Sequence, residues 1–347
     1  MTYEQILEKL HSYGDDEKIY KEYYELLQEQ KSLAPFYAKH KNATEYIRYI
    51  QHPEKIEFSS HENRFIDSGR NVSVIKHPRY FPRFYHEHLF FEIIYVLSGS
   101  CTQIFDDKSI PLHAGDLCIM APNVTHAIDV FDDSIILNIT IRRSTFLDIF
   151  LNTVKDKTQI SMFFLNNIYE KNKIPYLLFH TGDDLKIRNY ILDMYGEQLE
   201  QDNYSDRIIC SILTIFFAQL IRLHQQNLEI PQVSGSHSAL ETEVLNYIMN
   251  QYADVSLEDV AAHFHFSAPY CSKLIKKISG YTFSDLLENI RLQQSENYLL
   301  YTQLSVAEIS ERIGFKNPET FIRMFQRRHQ MTPSKYRKCN ADALYDK

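Results

Sequence analysis

The sequence predicts an α+β protein: an antiparallel β-barrel with a helical extension and flanking helices, followed by an all-α domain. Apolar residues of segment 2–50 recur at helical spacing. From about residue 56, short β-branched and aromatic runs alternate with turn residues, as in antiparallel barrels or sandwiches. Residues 241–338 repeat one helix–turn–helix pattern twice. A chain of 347 residues has room for about two domains.

The composition excludes several classes of protein. Hydrophobic residues make up 44% of the chain and charged residues 24%, which is typical of a soluble globular protein. The first ten residues, "MTYEQILEKL", lack the apolar core of a signal peptide. No run approaches 18 consecutive apolar residues, so we expect no membrane span. Five scattered cysteines without a C-x2-C pair suit a reducing cytoplasm.

The first two thirds of the chain divide into a helical extension, a strand-rich part and a second helical part. Helices are predicted over a 1–55 extension, where Ile6, Leu10 and Tyr13 share one face. The predicted strands are "VSVIKH", "FEIIYVL", "CTQIF", "SIPLHAGD", "LCIMAP", "THAIDVF" and "SIILNITI", with a turn at Asp106-Asp107. Helical periodicity returns after about residue 144.

One long helix is predicted before the boundary between the domains. In the span 204–226 one broad apolar stripe is formed by Ile208, Ile212, Ile215, Phe216 and Leu220. The serine-rich segment "NLEIPQVSGSHSALE" has no periodicity and reads as a linker. We therefore predict a sensor domain over 56–226 that includes dimerisation helices, a linker over 227–240 and a second domain over 241–338.

The second domain carries the most specific pattern. Ser256 with Asp259 caps one helix, and Ser267 caps the next, which stops at Gly280. The unit recurs from 304 to 333, with Ser305 as a cap and Gly314 in the turn. There Asn317 caps the last helix, and Pro318 stands at its first position. A helix over 283–301 joins the two units.

The charge of the chain is uneven. The net charge is −8, yet residues 241–338 hold 12 Lys/Arg against 11 Asp/Glu, a net of +1, which leaves −9 for the remainder. From Arg312 to Lys338 eight basic residues stand against Glu319 alone. A basic face on a near-neutral domain is compatible with DNA binding.

The stretch 245–338 resembles the DNA-binding domain of the AraC/XylS family of bacterial transcription regulators. The resemblance rests on "SLEDVA", on S-x2-Y-x3-L-x-K-x3-G, on "IRL" and on "VAEISERIGF…FIRMFQRRHQMTPSKYR". Two positions depart from the family pattern: Gln330 stands where glycine is usual, and Gln326 where lysine is usual. Neither lies at the amino end of a helix.

The resemblance and the helix–turn–helix geometry both imply that the second helix of each unit enters the major groove of an operator. Its amino-terminal turns would then meet base edges through Ser272, Lys273, Glu319, Thr320 and Arg323. Asn317, at the cap of the second of these helices, is also expected to bind DNA. Contacts to phosphate are expected from Lys276, Lys277 and Arg327.

A second motif lies in "FYHEHLFFEIIYVLSG", where His86, His88 and Glu92 precede an apolar run. These residues could form a metal site, line a small-molecule pocket, or be ordinary polar residues of a strand. On a straight strand they would share one face, but residues four apart lie about 13 Å from each other. Glu92 can therefore join His88 at one site only if the strand bends between them.

Residues 72–142 resemble the cupin-type sensor domain that many members of this family carry. In cupin enzymes a histidine pair, a glutamate and a later histidine hold a metal. The first motif matches closely, whereas the second is reduced to His126 in "PNVTH". Two histidines and a carboxylate would suit iron, manganese or zinc. The residues expected to bind an effector are Arg83, Tyr85, His86, His88, Glu92, Tyr95 and His126.

These observations lead to one functional expectation and one alternative. The expected protein is a cytoplasmic, non-catalytic and homodimeric transcription regulator, an activator that contacts RNA polymerase. It would bind a double-stranded DNA operator and a small effector, with a carbohydrate favoured by the resemblance, and would need no cofactor. The alternative is a metal- or redox-responsive regulator that uses the His/Glu residues. The helical extension could be the moving part of the switch or a fixed support.

Overall fold

The computed structural model describes residues 1–51, 65–67, 69–105, 108–142, 145, 146, 149, 163, 175–231, 239–302 and 304–338. The chain forms two compact units: one comprises Met1–Arg143 and Pro175–Ile230, the other Ser144–Ile174 and Pro231–Lys347. The predicted turn at Asp106-Asp107 and residues 232–238 of the predicted linker lie outside the described residues. The domain boundaries therefore stay predictions.

The predicted helical extension is present. Its helices are α1 (Tyr3–His11), α2 (Asp15–Gln28), α3 (Ala34–Lys39) and α4 (Thr44–Gln51). Thr2 caps α1 in a reciprocal pair with Gln5, since each side chain bonds the backbone of the other residue. Pro35 stands in the first turn of α3, where its missing N–H leaves no bond unmade.

A buried ion pair fixes the extension to the first strand of the barrel. Glu17 on α2 is 1% exposed and Arg79 is 2% exposed. Arg79 donates from Nε to Glu17 Oε1 at 3.0 Å and from a terminal nitrogen to Oε2 at 2.9 Å, and Lys76 Nζ donates to Oε2 at 2.7 Å. Burial opposes ionisation of Glu17, but these bonds outweigh it and lower its pKa to about 2. The guanidinium also lies 3.7 Å from the ring centre of Tyr13.

Among the described residues, the first unit has two antiparallel sheets. The strands are β1 (Val72–Lys76), β2 (Phe91–Ser98), β3 (Ser100–Phe105), β4 (Lys108–His113), β5 (Asp116–Met120), β6 (His126–Asp129), β7 (Ile135–Ile141), β8 (Tyr176–His180) and β9 (Leu228–Glu229). One sheet has the order β1-β7-β2-β5-β8-β9 and the other β4-β3-β6.

Strands β8 and β9 correct the expectation that only helices follow residue 144. β8 pairs with β5 in the register Cys118 to Leu178, and β9 pairs with β8. The run "PYLLFH" is a short apolar run, and periodicity cannot distinguish such a run from part of a buried helix. Its assignment depends on a partner strand distant in sequence.

The core of the barrel lies between the two sheets. Side chains from both sheets bury their apolar atoms there: Ile94, Val96, Cys101, Phe105, Leu112, Cys118, Met120, Ile128, Ile136, Tyr176 and Leu178. Alternate residues of a strand face opposite sides, so positions 92, 94 and 96 of β2 share the interior face. This places Glu92 on the inner face, at the start of the strand.

Two helices, α5 (Leu185–Glu200) and α6 (Ser205–His224), follow β8. Helix α1 packs on α5 at Gly196, where a Cβ atom would lie 2.9 Å from the Cδ1 atom of Ile6. A larger residue at this position would require the end of the Ile6 side chain to shift.

The apolar stripe predicted on α6 divides between two faces. Phe216 and Leu220 are buried, whereas Ile208 is 38% exposed and Ile215 is 49% exposed. At 100° per residue the predicted stripe spans an arc wider than one packing contact covers. The inner face belongs to the core, and the outer face leaves apolar side chains in solvent.

The second unit contains the helices predicted from the repeated pattern. They are α7 (Ala239–Asn250), α8 (Leu257–His263), α9 (Ala268–Ser279), α10 (Phe283–Tyr301), α11 (Val306–Arg312) and α12 (Pro318–His329), followed by a helical turn over 333–338. One apolar cluster joins α7 to α10, and a second joins α10 to α12. The predicted double helix–turn–helix is confirmed.

Replacing Glu17 with glutamine should destabilise the first unit by about 3 kcal/mol, because two cations would lose the carboxylate that neutralises them in a buried place. Urea unfolding followed by near-ultraviolet circular dichroism measures the change. Asp15→Asn, which removes an exposed carboxylate from the same helix, is the control and should have no measurable effect.

The difference between wild type and Glu17→Gln should depend on pH. Because the folded-state pKa of Glu17 is lowered, its contribution is present above about pH 4.5 and is lost as the pH falls toward about 2. A difference that stayed constant from pH 7 to pH 2.5 would contradict this account.

Candidate DNA-binding surface and effector site

The first helix–turn–helix consists of α8, a short turn and α9. Ser256 Oγ accepts from the Asp259 N–H at 3.1 Å, while the Asp259 carboxylate accepts from the Ser256 N–H at 2.9 Å. His265 in the turn has a φ of 56°, and Ser267 then caps α9. The apolar side of α9 is buried, so its opposite face and its first turn point to solvent.

The second helix–turn–helix repeats this construction. Ser305 and Glu308 form the equivalent capping box on α11. Asn317 Oδ1 accepts from the Glu319 N–H at 2.8 Å and caps α12. Gly314 in the turn has a φ of 85°, and a Cβ atom there would lie 1.8 Å from the carbonyl oxygen of Ala253. Only glycine suits both this conformation and this contact.

Arg291 on α10 ties the two helix–turn–helix motifs together. Its Nε donates to the carbonyl of Tyr252 and a terminal nitrogen to that of Ala253, both at 2.9 Å. The guanidinium also lies 5.3 Å from the ring centre of Phe315, in the second helix–turn–helix. Since Gly314 packs on the same Ala253 carbonyl, the spacing of α9 and α12 is fixed by this contact.

The structure places the predicted base-contacting residues on the solvent side of α9 and α12. Lys273 and Arg323 are exposed, and each is the sixth residue after its cap (267 to 273, 317 to 323). Glu319 and Thr320 are exposed in the first turn of α12, and Ser272 is half-buried. The two helices therefore present equivalent faces.

Two of the predicted phosphate contacts are engaged within the protein. Lys277 Nζ lies 2.8 Å from the Glu241 carboxylate on α7, and Arg327 contacts the Glu288 carboxylate on α10. The third, Lys276, is exposed and has no ion pair within the described part of the chain. These pairs could not be predicted from local patterns, because their members lie 36 and 39 positions apart.

The first unit brings a cluster of histidines around Glu92. His86 forms an isolated bridge with His126, and the chain bends before β2 begins at Phe91. As a result His88 Nε2 lies 3.3 Å from Glu92 Oε2, and His126 Nε2 lies 3.4 Å from the same oxygen. The bend that a shared site of His88 and Glu92 requires is therefore present.

The hydrogen bonds of His88 and His126 show which nitrogen of each ring carries a proton. His88 Nδ1 lies 2.8 Å from the Phe90 carbonyl, and His126 Nδ1 lies 2.9 Å from the Val124 carbonyl. A carbonyl only accepts, so both Nδ1 atoms must donate. When the rings are neutral, both Nε2 lone pairs face a carboxylate oxygen. Such contacts are repulsive unless a donor or a cation lies between these atoms.

The electrostatics of the cluster favour an ionised Glu92 and a neutral His86. Burial opposes ionisation of Glu92, but hydrogen bonds and charge from His126 and His88 outweigh it and hold the pKa of Glu92 well below its usual range. Because the Nδ1 atoms of these two rings donate to carbonyls, the rings make such bonds only when Nε2 carries a proton too. Burial, reinforced by the neighbouring His126, lowers the pKa of His86 to about 3. Neutral imidazole and carboxylate are the ligand forms that bind divalent metals.

The donor set fits a metal ion. One ligating atom from each of His86, Glu92 and His126 lies within 4.8 Å of the others. Metal-binding histidines usually donate their second nitrogen to a carbonyl or carboxylate, as His126 does here. An ion bound there would remove the repulsion between the imidazole and carboxylate lone pairs.

Two buried amides extend the polar cluster into the barrel. Asn138 donates from Nδ2 to Glu92 Oε1 at 2.9 Å, and Gln103 lies 3.3 Å from the sulfur of Met120. The oxygen atoms of both amides are buried without a hydrogen-bond partner among the described residues. Together with Glu92, they make the interior rich in acceptors.

Comparison with protein families supports the description of the helix–turn–helix domain and that of the barrel. Residues 260–339 match the family model of a helix-turn-helix domain, and residues 72–134 match that of a cupin domain. The HTH-type transcriptional activator RhaS of Escherichia coli O81 (strain ED1a) is 24% identical over 281 residues, which cover 79% of this chain and 94% of RhaS. The chain belongs to the AraC/XylS family of transcription regulators.

Other relatives of this AraC/XylS regulator match the same regions. The uncharacterized HTH-type transcriptional regulator YfiF of Bacillus subtilis (strain 168) is 25% identical over 264 residues, covering 74% of this chain and 80% of YfiF. The C-terminal domain of the two-component response regulator yesN of Fusobacterium nucleatum is 32% identical and covers 29% of this chain and 99% of that domain, with a TM-score of 0.28. ToxT of Vibrio cholerae is 16% identical and covers 77% of this chain and 97% of ToxT, with a TM-score of 0.31.

Three residues expected at the effector site of this AraC/XylS regulator lie apart from the cluster. Arg83 pairs with Asp129 on β6, its Nε lying 2.9 Å from a carboxylate oxygen, and Tyr85 is 52% exposed. Tyr95 is buried on the face of β2 opposite to Glu92, and burial raises its pKa to about 12. Odd and even positions of a strand face opposite sides, so Tyr95 cannot meet Glu92.

Sequence reasoning missed Tyr270, Asn138 and Gln103. Tyr270 is 49% exposed in the first turn of α9, the third residue after its cap (267 to 270). Thr320 holds the same position in α12 (317 to 320), so alignment of the two repeats would have identified it. The two amides are single polar residues within apolar strands, a pattern that carries no specific signal.

One helical segment, Ser205–Asn227, is long and apolar enough to cross a membrane by length and composition alone. Such evidence is weak, because core helices pass the same test. One face of α6 is buried in the first unit, and 28% of the apolar stretch is buried in all.

Replacing Arg323 with alanine should weaken binding to the operator by about 1–3 kcal/mol and relax the preference at one base pair, as loss of a bidentate base contact does. An operator selected from randomised DNA, followed by titration of matched and mismatched sites, measures both effects.

Arg328→Ala provides the control, because Arg328 is exposed on the same helix but lies on its far side from the groove-facing residues. Equal effects of the two substitutions, with an unchanged base preference, would show that α12 does not read bases through Arg323.

Proposed function

We propose that this DNA-binding regulator responds to a hydroxyl-rich small molecule, with a carbohydrate as the leading class, bound at the His/Glu cluster of its cupin domain. The observation that carries the proposal is the excess of acceptors. Glu92 Oε2 faces two imidazole Nε2 atoms, and the oxygens of Gln103 and Asn138 have no hydrogen-bond partner among the described residues. Hydroxyl groups donate to such atoms.

The aromatic surroundings agree with a sugar. Phe84 stacks on His86 with 4.6 Å between ring centres, which leaves an aromatic wall beside the polar cluster. Sugar rings pack on aromatic faces through their C–H groups while their hydroxyl groups bond to polar neighbours. Sensors of this type in the AraC/XylS family often bind carbohydrates, which is the expectation from resemblance.

A second candidate is a divalent metal ion as the signal. It is favoured by the Nδ1 bonds of His88 and His126 to carbonyls, which orient both Nε2 atoms toward Glu92. Imidazole and carboxylate ligands suit iron, manganese or zinc. A metal ion would neutralise Glu92 and hold the bend between His88 and the first residue of β2.

One experiment separates the two candidates. Protein purified without a histidine tag is screened by thermal shift against mono- and oligosaccharides, and its metal content is measured. A saccharide that raises the melting temperature of wild type, but not of Glu92→Gln, supports the first candidate. His113→Gln, outside the cluster, should keep the response. Stoichiometric iron, manganese or zinc that is lost in a His86→Ala/His88→Ala variant would establish the second candidate and overturn the first.

The action on transcription is proposed to be activation in the cytoplasm, without catalysis. RhaS, to which the chain is similar over most of its length, is a transcriptional activator by name. An activator bound at its operator would contact RNA polymerase. A reporter gene behind the selected operator tests this proposal, since activation raises expression when the effector is added and repression lowers it.

A homodimer is proposed to form through the outer face of α6. Ile208 and Ile215 are exposed there, Ile212 is half-buried, and all three lie within one narrow arc of the helix. Apolar side chains aligned on one face of a surface helix are typical of an interface between two copies.

Ile215→Glu should therefore produce a folded monomer, because two carboxylates would be buried against apolar side chains at the interface. Analytical ultracentrifugation measures the mass, and circular dichroism verifies the fold. Thr214→Glu, exposed on the same helix but outside this arc, should remain dimeric. Equal masses for Ile215→Glu and wild type would contradict the proposed interface.

A further inference from the structure

The two helix–turn–helix units contain an equivalent ion pair. Lys277 is the tenth residue after the cap of α9 (267 to 277), and Arg327 is the tenth after the cap of α12 (317 to 327). Each basic side chain meets a carboxylate from the helix that precedes its own unit. The partner of Lys277 is Glu241 on α7, and the partner of Arg327 is Glu288 on α10.

The two pairs differ in burial but not in arrangement. The Glu241 side chain is 12% exposed, whereas its partner Lys277 is 71% exposed. Arg327 is 70% exposed and Glu288 is 42% exposed. In both units the acid comes from the supporting helix, and the base comes from the helix expected to enter the groove. The cation is thereby drawn toward the protein.

Both cations lie one turn beyond the residues expected to meet base edges, on the same side of their helices. In α9, Lys277 lies one turn beyond Lys273, on the side occupied by Tyr270. Residues at the edge of a recognition helix lie near the phosphates that border the groove, and contacts to phosphate carry no sequence information. Other cations of this surface, Lys276 and Arg323, have no ion pair within the described part of the chain.

We propose that Glu241 and Glu288 attenuate the DNA affinity of this regulator: each holds one cation of the DNA-facing surface away from the phosphates and thereby weakens binding to DNA of any sequence. Because contacts to phosphate carry no sequence information, affinity for the operator and for other DNA falls by a similar factor. Non-specific binding, which relies on phosphate contacts almost alone, therefore reports the effect directly.

The size of the effect follows from counterion release. Each phosphate neutralised by a protein cation changes the slope of log affinity against log salt by about 0.9, and this contribution does not depend on the DNA sequence. Helices α9 and α12 carry three lysines and three arginines respectively, six cations in all. The two engaged cations, one on each helix, are therefore a third of the lysine and arginine charge on these helices.

The test uses the full chain and a random-sequence duplex. Glu241→Gln and Glu288→Gln should each strengthen non-specific binding by about threefold to tenfold at about 0.1 M salt and steepen the salt slope by about one. Lys277→Gln should leave both quantities unchanged. The double variant Glu241→Gln/Lys277→Gln should return to the wild-type values, because the released cation is no longer present.

Glu311→Gln is the matched control, since Glu311 is exposed on α11 and belongs to neither pair. An equal gain in Glu311→Gln, or a gain that persists in the double variant, would show that loss of negative charge alone is responsible and would overturn the proposal. A shallower slope in Lys277→Gln would overturn it too, because Lys277 would then contact phosphate in the wild type. A lower melting temperature of Glu241→Gln and of Lys277→Gln, without any gain in non-specific affinity, would also overturn the proposal. The pair would then have only a structural role.

Discussion

The carbonyls of Tyr252 and Ala253 are the point on which the DNA-binding unit depends. Arg291 donates to both carbonyls, and the turn at Gly314 packs against one of them. A charged side chain that donates to two neighbouring carbonyls restricts rotation of the backbone that carries them. Gly314 has no side chain, so the turn of the second helix–turn–helix can approach one of these carbonyls closely. These contacts join the second helix–turn–helix to the loop that precedes the first one.

Local features of the sequence predicted the helices of this unit well. Caps such as Ser256 and Asn317, and the turn residue Gly314, act through neighbours within a few positions, so the sequence alone reveals them. The ion pairs of Lys277 and Arg327 were not predictable in this way. Their partners belong to other helices, and charge patterning identifies partners only when they share a helix face.

The cupin site shows the same division between local and distant information. The spacing of His86, His88 and Glu92 identified the cluster, but whether these side chains could meet depended on a bend before β2. Tyr95 was assigned to the site because it is close in sequence, and the alternation of the strand then placed it on the opposite face. Strand β8 and the polar residues Asn138 and Gln103 take their roles from neighbours across the sheets, which no short pattern describes.

The buried pair of Glu17 and Arg79 affects the order in which parts of the chain can fold during synthesis. Glu17 leaves the ribosome 62 residues before the cation that neutralises it, and α1 packs on Gly196, which is made later still. Until those segments exist, Glu17 lacks its charge partner and α1 lacks the helix on which it packs, although α2, α3 and α4 share an apolar cluster around Tyr20 and Phe36. The first helix of the chain can therefore reach its final place only after α5 has been made. A nascent chain that stops before α5 would leave the extension exposed to chaperones and proteases.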